Sequence, residues 1–113
     1  MERPNVLVVC GRNKRRSRTA EYIFKNDSRF NIRSVGLSFQ SERKITEKDL
    51  TWSNSILVME KNQKNKIREI YNFLELPKIE VLDIPDEFDY LDPELVEILT
   101  TKINLHLHGV YNI

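Results

Sequence analysis

The chain has one cysteine among its 113 residues, and it stands where an apolar run ends: Val6-Leu7-Val8-Val9, then Cys10-Gly11-Arg12-Asn13-Lys14-Arg15-Arg16-Ser17. An arginine six positions after the sulfur, followed by a hydroxyl, gives the spacing C-x5-R-S. A strand that gives way to a polar loop and then a helix surrounds a small concavity with backbone N–H groups, which suits an anion. A tetrahedral dianion held there would have two oxygens clamped by Arg16, whose planar fork matches them as a lysine would not. Cys10 would sit beneath the central atom. A free thiol titrates near pH ~8.5, and a helix N-terminus with neighbouring cations lowers that to about 3.5–7.5, so the sulfur would attack as a thiolate. Gly11 lets the backbone approach the ligand. Asn13 suits a left-handed turn. Ser17 can donate to the sulfur, and it can equally cap the helix. The chemistry implied is phosphoryl transfer through a sulfur nucleophile.

Plainer readings stand beside this one. A lone cysteine at a strand end can be a small buried hydrophobe, and Arg16 can be a solvated charge. Arg12, Lys14, Arg15, Arg16 and Arg18 form a basic cluster of the kind that marks nucleic-acid patches. Here the cluster is confined to one loop. Eighteen basic against seventeen acidic residues leave a net charge of only +1, so bulk electrostatics do not make the molecule a polyanion binder. A strongly anionic phosphoester is the more economical partner, and nucleic acid is not favoured. The glycines and the Gly-Lys pair of a nucleotide-binding Walker loop are missing. A single cysteine excludes an internal disulfide and fits a reducing compartment, so the expected location is the cytoplasm. Met1-Glu2-Arg3-Pro4 does not read as a secretion signal, and no apolar stretch is long enough to span a membrane. Length and ordinary composition fit one domain over 1–113.

The elements that must position the loop follow from periodicity. Asn5–Val9 reads as a buried parallel strand. Ser17 to Asn26 reads as a helix with Ala20, Ile23 and Phe24 on one face. Phe30–Gly36 is a second strand, and 36–44 a polar loop. Thr46 caps a second helix, with Asp49 facing the cap and Ile45 and Leu50 as a staple. Ser55–Met59 is a third strand. Glu60–Leu74 is a helix carrying Ile67, Ile70, Tyr71 and Leu74 at i, i+3, i+4 and i+7, broken by Pro77. Ile79–Leu82 is a fourth strand. Asp92-Pro93-Glu94 opens the last helix, whose buried side is Leu95, Ile98, Leu99 and Ile103. The order βαβαβαβα predicts an α/β fold: a four-stranded parallel sheet with helices on both faces. Sites in such sheets form at the carboxyl ends of the strands, so the loops after strands one and four should open on the same edge.

These residues resemble the low-molecular-weight protein tyrosine phosphatases, and most closely the short bacterial branch of that family. The similarity rests on C-x5-R-[ST] directly after the first strand, on Asn13, and on Arg18-Thr19-Ala20-Glu21 after the loop. It extends through Ser34-Val35-Gly36, Leu57-Val58-Met59-Glu60 and Asp83-Ile84-Pro85-Asp86. It implies a flavodoxin-like three-layer α/β/α fold with a phosphate-binding loop after strand one. It also implies a phosphorylated protein or peptide, or a small phosphomonoester, as substrate, and a Cys10 thiophosphate intermediate. Such loops usually carry a glycine where Arg12 stands, an apolar ring contact where Lys14 stands, and often a second cysteine where Arg15 stands.

A cysteine phosphatase needs a carboxyl to protonate the leaving oxygen and later to activate water. The acidic segment after strand four lies on the correct edge. In the family, an aspartate about six residues before the last helix cap does this work, and here that is Asp86. Because Pro85 precedes it rather than follows it, Asp83 and Asp89 remain candidates. Asp92 reads as a cap only. Phe88 and Tyr90 are the candidate ring contacts, or loop anchors. Phe39 and Trp52 could wall the pocket, although Trp52 falls in the helix-two pattern. His106 and His108 form an H-x-H pair without visible partner ligands, so no metal and no cofactor are expected. Two other readings use the same loop: arsenate reduction, which would need relay cysteines the chain lacks, and phosphate binding without hydrolysis.

Overall fold

Alternation along one strand builds the two layers of this protein. The computed structural model describes residues 3–113; Met1 and Glu2, which begin the segment read for a secretion signal, lie outside it. Strand β1 (Asn5–Cys10) sends Val6, Val8 and Cys10 to one face of the sheet and Leu7 and Val9 to the other. Both faces are covered, which is why the run is apolar throughout. The sheet is wholly parallel, in the order β2-β1-β3-β4, with β2 at Asn31–Gly36, β3 at Ser55–Val58 and β4 at Ile79–Val81. Helices α1 (Arg16–Phe24) and α4 (Pro93–His106) pack on the Val6/Val8 face around Phe24, Phe30, Leu95, Leu99 and Ile103. Helices α2 (Glu47–Trp52) and α3 (Lys61–Ile70) cover the other face through Leu50 and Ile67. No helix is long and apolar enough to cross a membrane among the described residues.

Local chemistry accounts for several boundaries. Thr46 and Asp49 form the expected capping box: the Asp49 amide donates to Thr46 Oγ1 at 3.3 Å, and the Thr46 amide donates to Asp49 Oδ2 at 2.9 Å. Asp92 caps α4 by accepting from the Glu94 amide at 2.9 Å, with Pro93 in the first turn.

Other expectations are corrected. Helix α1 starts at Arg16, its N-cap is Arg15 without a side-chain cap bond, and Ser17 lies inside the helix. The Ser17 hydroxyl is thereby released from capping. Helix α3 ends at Ile70, well before Pro77, and Ile70 is exposed. Tyr71 and Leu74 still pack against the core, but from the turn after the helix. Strand β1 runs one residue longer than expected, to Cys10. Strand β2 starts one residue later, and β3 and β4 each end one residue sooner. A π-helical turn, Leu107–Tyr111, continues α4 and buries Leu107; no periodicity in His-Leu-His-Gly announces it.

Candidate active site

Cys10 is the last residue of β1 and the next five residues turn back into α1, so the sulfur faces the helix N-terminus. Three contacts hold the loop around it. The Asn13 amide donates to Cys10 Sγ at 3.2 Å, and Ser17 Oγ lies 2.9 Å from the same sulfur. Asn13 Nδ2 donates to Ser17 Oγ at 2.8 Å. That hydroxyl accepts from Asn13 and keeps a proton it can give to the sulfur, beside the Asn13 amide that already donates to it. Asn13 adopts φ 53°, the left-handed conformation that lets its amide turn inward. Cys10, Asn13, Arg16 and Ser17 are all buried, whereas Arg12, Lys14 and Arg15 are exposed.

Arg16 joins three elements at this edge. Its Nη1 donates to the Ile84 carbonyl at 2.7 Å and lies 3.5 Å from Glu60 Oε2, while its Nε lies 3.7 Å from Asp86 Oδ1. A buried guanidinium requires such compensation. The Ile84 bond takes one of its five N–H donors and fixes the plane of the fork. Ile84 is itself anchored: its side chain is fully buried and its amide donates to the Met59 carbonyl at 2.9 Å. Two residues further on, Asp86 emerges into solvent at the mouth of the cavity that holds Cys10. Thr19 of α1 accepts from the Leu91 amide at 3.0 Å, pinning the far end of the same acidic segment. The cavity measures about 880 Å³ and is open to solvent.

This geometry has counterparts in solved structures. SP-PTP, the low molecular weight protein tyrosine phosphatase from Streptococcus pyogenes, matches with a TM-score of 0.79 at 18% identity, over 95% of this chain and 93% of its own. The YwlE arginine phosphatase from Geobacillus stearothermophilus matches with a TM-score of 0.71 at 18% identity, over 97% of each chain. The chain has the low-molecular-weight phosphatase fold. The tyrosine phosphatase Wzb from Escherichia coli K30, solved in complex with phosphate, has the same fold, with a TM-score of 0.71 at 15% identity over 96% of this chain and 99% of its own. No family model matches the sequence, and no curated protein does.

Placed on this phosphatase fold, the candidate residues separate. Cys10, Gly11, Arg12, Lys14, Arg15 and Arg16 all line the one cavity, and Asn13 and Ser17 support it from beneath. Of the three candidate acids, Asp86 alone lines it. Asp83 takes a left-handed φ of 55° and faces a separate 300 Å³ cavity beside Lys102 and His106, and Asp89 lines neither. Phe88 is not a pocket residue; it packs on the core beside α4 and anchors the acidic segment. Tyr90 is also outside, set edge-on to Tyr22 with the Arg18 guanidinium 5.8 Å from its ring centre. The aromatic ring of the cavity is Phe39, 81% exposed, from the segment after β2. Trp52 lies under the Arg33 guanidinium, 4.0 Å from its ring centre, away from the site. Arg18 also leaves the loop cluster, paired with Glu42.

A Cβ at Gly11 would meet no protein atom within 4 Å, so packing does not require glycine there; only a bound ligand could. The glycine that packing does require is Gly36, the last residue of β2. His106 is buried with Nδ1 3.3 Å from Glu80 Oε2, and His108 is exposed. Among the described residues no three His, Cys, Asp or Glu side chains gather into a metal site.

Sequence reasoning missed the other walls: Leu37, Ser38 and Lys44 after β2, and Glu60, Asn62, Gln63 and Lys66 at the start of α3. For Glu60 a signal existed, since it follows the third strand closely, on the same edge as Cys10. Gln63 then holds it in place, accepting from the Met59 and Glu60 amides at 2.9 and 3.0 Å.

Proposed function

We propose that this protein is a cysteine-dependent phosphomonoester hydrolase acting on phosphorylated protein, phosphotyrosine included. The observation that carries the reading is the convergence on one cavity of a sulfur held by the Asn13 amide and the Ser17 hydroxyl, a buried arginine fork and one aspartate. Cys10 Sγ attacks phosphorus as a thiolate, and the S–P bond forms as the P–O bond to the leaving group breaks. Protonated Asp86 gives its proton to the departing oxygen. Arg16 and the loop amides hold the equatorial oxygens as charge redistributes over them. Water then attacks the thiophosphate and returns its proton to Asp86. The S–P bond breaks to release phosphate, and the Ser17 hydroxyl and Asn13 amide stabilise the departing thiolate. The phosphatase names of the solved structures that share the fold support the same class of reaction.

Phosphate release from p-nitrophenyl phosphate and from a phosphotyrosyl peptide tests the reading, with saturable turnover of both expected. Asp86→Asn separates the acid from the rest of the site. General acid catalysis is worth about 10²–10⁴-fold, so hydrolysis of phenyl phosphate should fall by at least about 10²-fold. The p-nitrophenyl ester, whose leaving group needs little protonation, should fall much less. Equal losses on both esters would remove Asp86 from the acid role. Asp83→Asn and Asp89→Asn should leave both rates near wild type.

A further inference from the structure

We infer that the Cys10 cavity selects phosphomonoesters carrying a second anionic group beside the scissile phosphate, an acidic phosphopeptide in particular. This rests on the phosphatase reading and adds a substrate class to it. The molecule as a whole is nearly neutral, but the cavity is not: Arg12, Lys14, Arg15, Arg16, Lys44 and Lys66 line it against only Glu60 and Asp86.

Four arginines outside the cavity, Arg18, Arg29, Arg33 and Arg43, have carboxylate partners, Glu42, Asp27, Asp49 and Glu21. Scattered surface cations such as Lys25, Lys61 and Arg68 form no ion pair among the described residues either, so what sets the cavity apart is the gathering of like charges. Inside it, both carboxylates already lie against Arg16. Among the described residues, Arg12, Lys14, Arg15, Lys44 and Lys66 form no ion pair. Charges of one sign gathered in a cleft focus the field and raise the local concentration of the opposite charge.

The positions of these cations show what they would meet. Arg16 and the loop amides suffice for one phosphate. Lys44 comes from the segment after β2 and Lys66 from the second turn of α3, so the surplus charge lies on the walls rather than the floor. A monoanionic or neutral leaving group would leave it unanswered. A phosphorylated guanidine would place its own cationic part among these side chains and be disfavoured, although one protein of the same fold is named an arginine phosphatase. Phe39 at the rim offers a face for a ring or methylene stem between the two anions.

The test compares a phosphotyrosyl peptide flanked by glutamates with the same peptide flanked by lysines. A small pair, phenyl phosphate and its meta-carboxylate, shows whether a peptide is needed or a small dianion suffices. Exposed charge pairs contribute up to a few-fold each, so the acidic peptide should exceed the basic one by about tenfold or more in kcat/KM at about 0.02 M salt. The gap should close near about 0.5 M salt, where screening acts within about 4–5 Å. Lys44→Glu/Lys66→Glu alters two exposed side chains and should collapse or invert the ratio. Calorimetric binding of the same peptides to Cys10→Ser protein reads the preference without turnover. Acidic preference in binding with no hydrolysis by wild type would defeat the phosphatase reading and leave the selectivity standing. Hydrolysis with no acidic preference in rate or affinity would do the reverse. A 5′-phosphorylated oligonucleotide that outcompetes the acidic peptide would overturn the assignment to peptide.

Discussion

Cys10→Ser protein is expected to lose phosphatase turnover by about 10⁴–10⁶-fold, the scale on which removing the nucleophile disables covalent enzymes, while still binding inorganic phosphate. The two halves of this expectation have separate structural origins. Turnover requires a leaving and attacking group that carries negative charge at neutral pH, and an alkyl hydroxyl does not. Binding requires the cradle, and the cradle keeps the bonds that do not involve the sulfur. Asn13 Nδ2 holds Ser17 whatever atom stands at position 10, and Arg16 is fixed by the Ile84 carbonyl and Glu60. A serine Oγ is smaller than Sγ, so it enters the same space without displacing Asn13 or Ser17. Phosphate release reports the first half and isothermal calorimetry the second. Turnover at the wild-type level would dismiss Cys10 as the nucleophile. Loss of both activity and phosphate binding with the fold intact would show that the sulfur organises the loop. Oxidation makes the same dependence visible in wild-type protein. With no second cysteine in the chain, a Cys10 sulfenic acid has no internal partner to trap it as a disulfide, so peroxide inactivation should proceed to forms that thiols do not reverse.

Features with a local cause were legible in the sequence. The parallel sheet followed from four apolar runs alternating with helical periods, and α2 from a capping box whose two members lie three residues apart. The left-handed Asn13 followed from a side chain that tolerates that region in a loop that must turn tightly. Features with a distant cause were not. Ser17 is a good cap by type, but the sulfur seven residues earlier and Asn13 compete for its hydroxyl, and they win. Phe88 and Tyr90 follow Asp86 closely, which suggested that they share its destination. The acidic segment crosses from β4 to α4, however, and Phe88 is drawn down into the apolar layer instead. Phe39 takes the wall position from the segment after β2, where no periodicity points to any face. That segment is fixed by backbone bonds that leave no trace in residue type: the Leu37 amide to the Cys10 carbonyl at 3.1 Å and the Ser38 amide to the Gly11 carbonyl at 2.8 Å.

The same segment depends on one glycine, and Gly36→Ala should damage stability and catalysis by different routes. Gly36 ends β2 opposite Cys10, donates to the Arg43 carbonyl and accepts from the Ile45 amide, both at 2.9 Å. Its φ is not positive, so the constraint is space rather than backbone conformation. A Cβ would stand 2.1 Å from Ser41 Oγ, 2.7 Å from Ser41 Cβ and 2.7 Å from the Asn13 backbone nitrogen. Overpacking of this kind costs about 1–3 kcal/mol, measurable as a lower midpoint in denaturant. The Asn13 nitrogen is the donor to Cys10 Sγ, and displacing a catalytic group by about 1 Å costs on the order of 10²-fold in rate. Adding Ser41→Gly separates the two. It removes the side chain responsible for the shortest contact but leaves the clash with Asn13, so the double variant should regain much of the stability and little of the activity. Full activity in Gly36→Ala would mean that the loop closes around the sulfur without support from β2. Recovery of activity together with stability in the double variant would place the whole effect in Ser41 and none in the Asn13 amide.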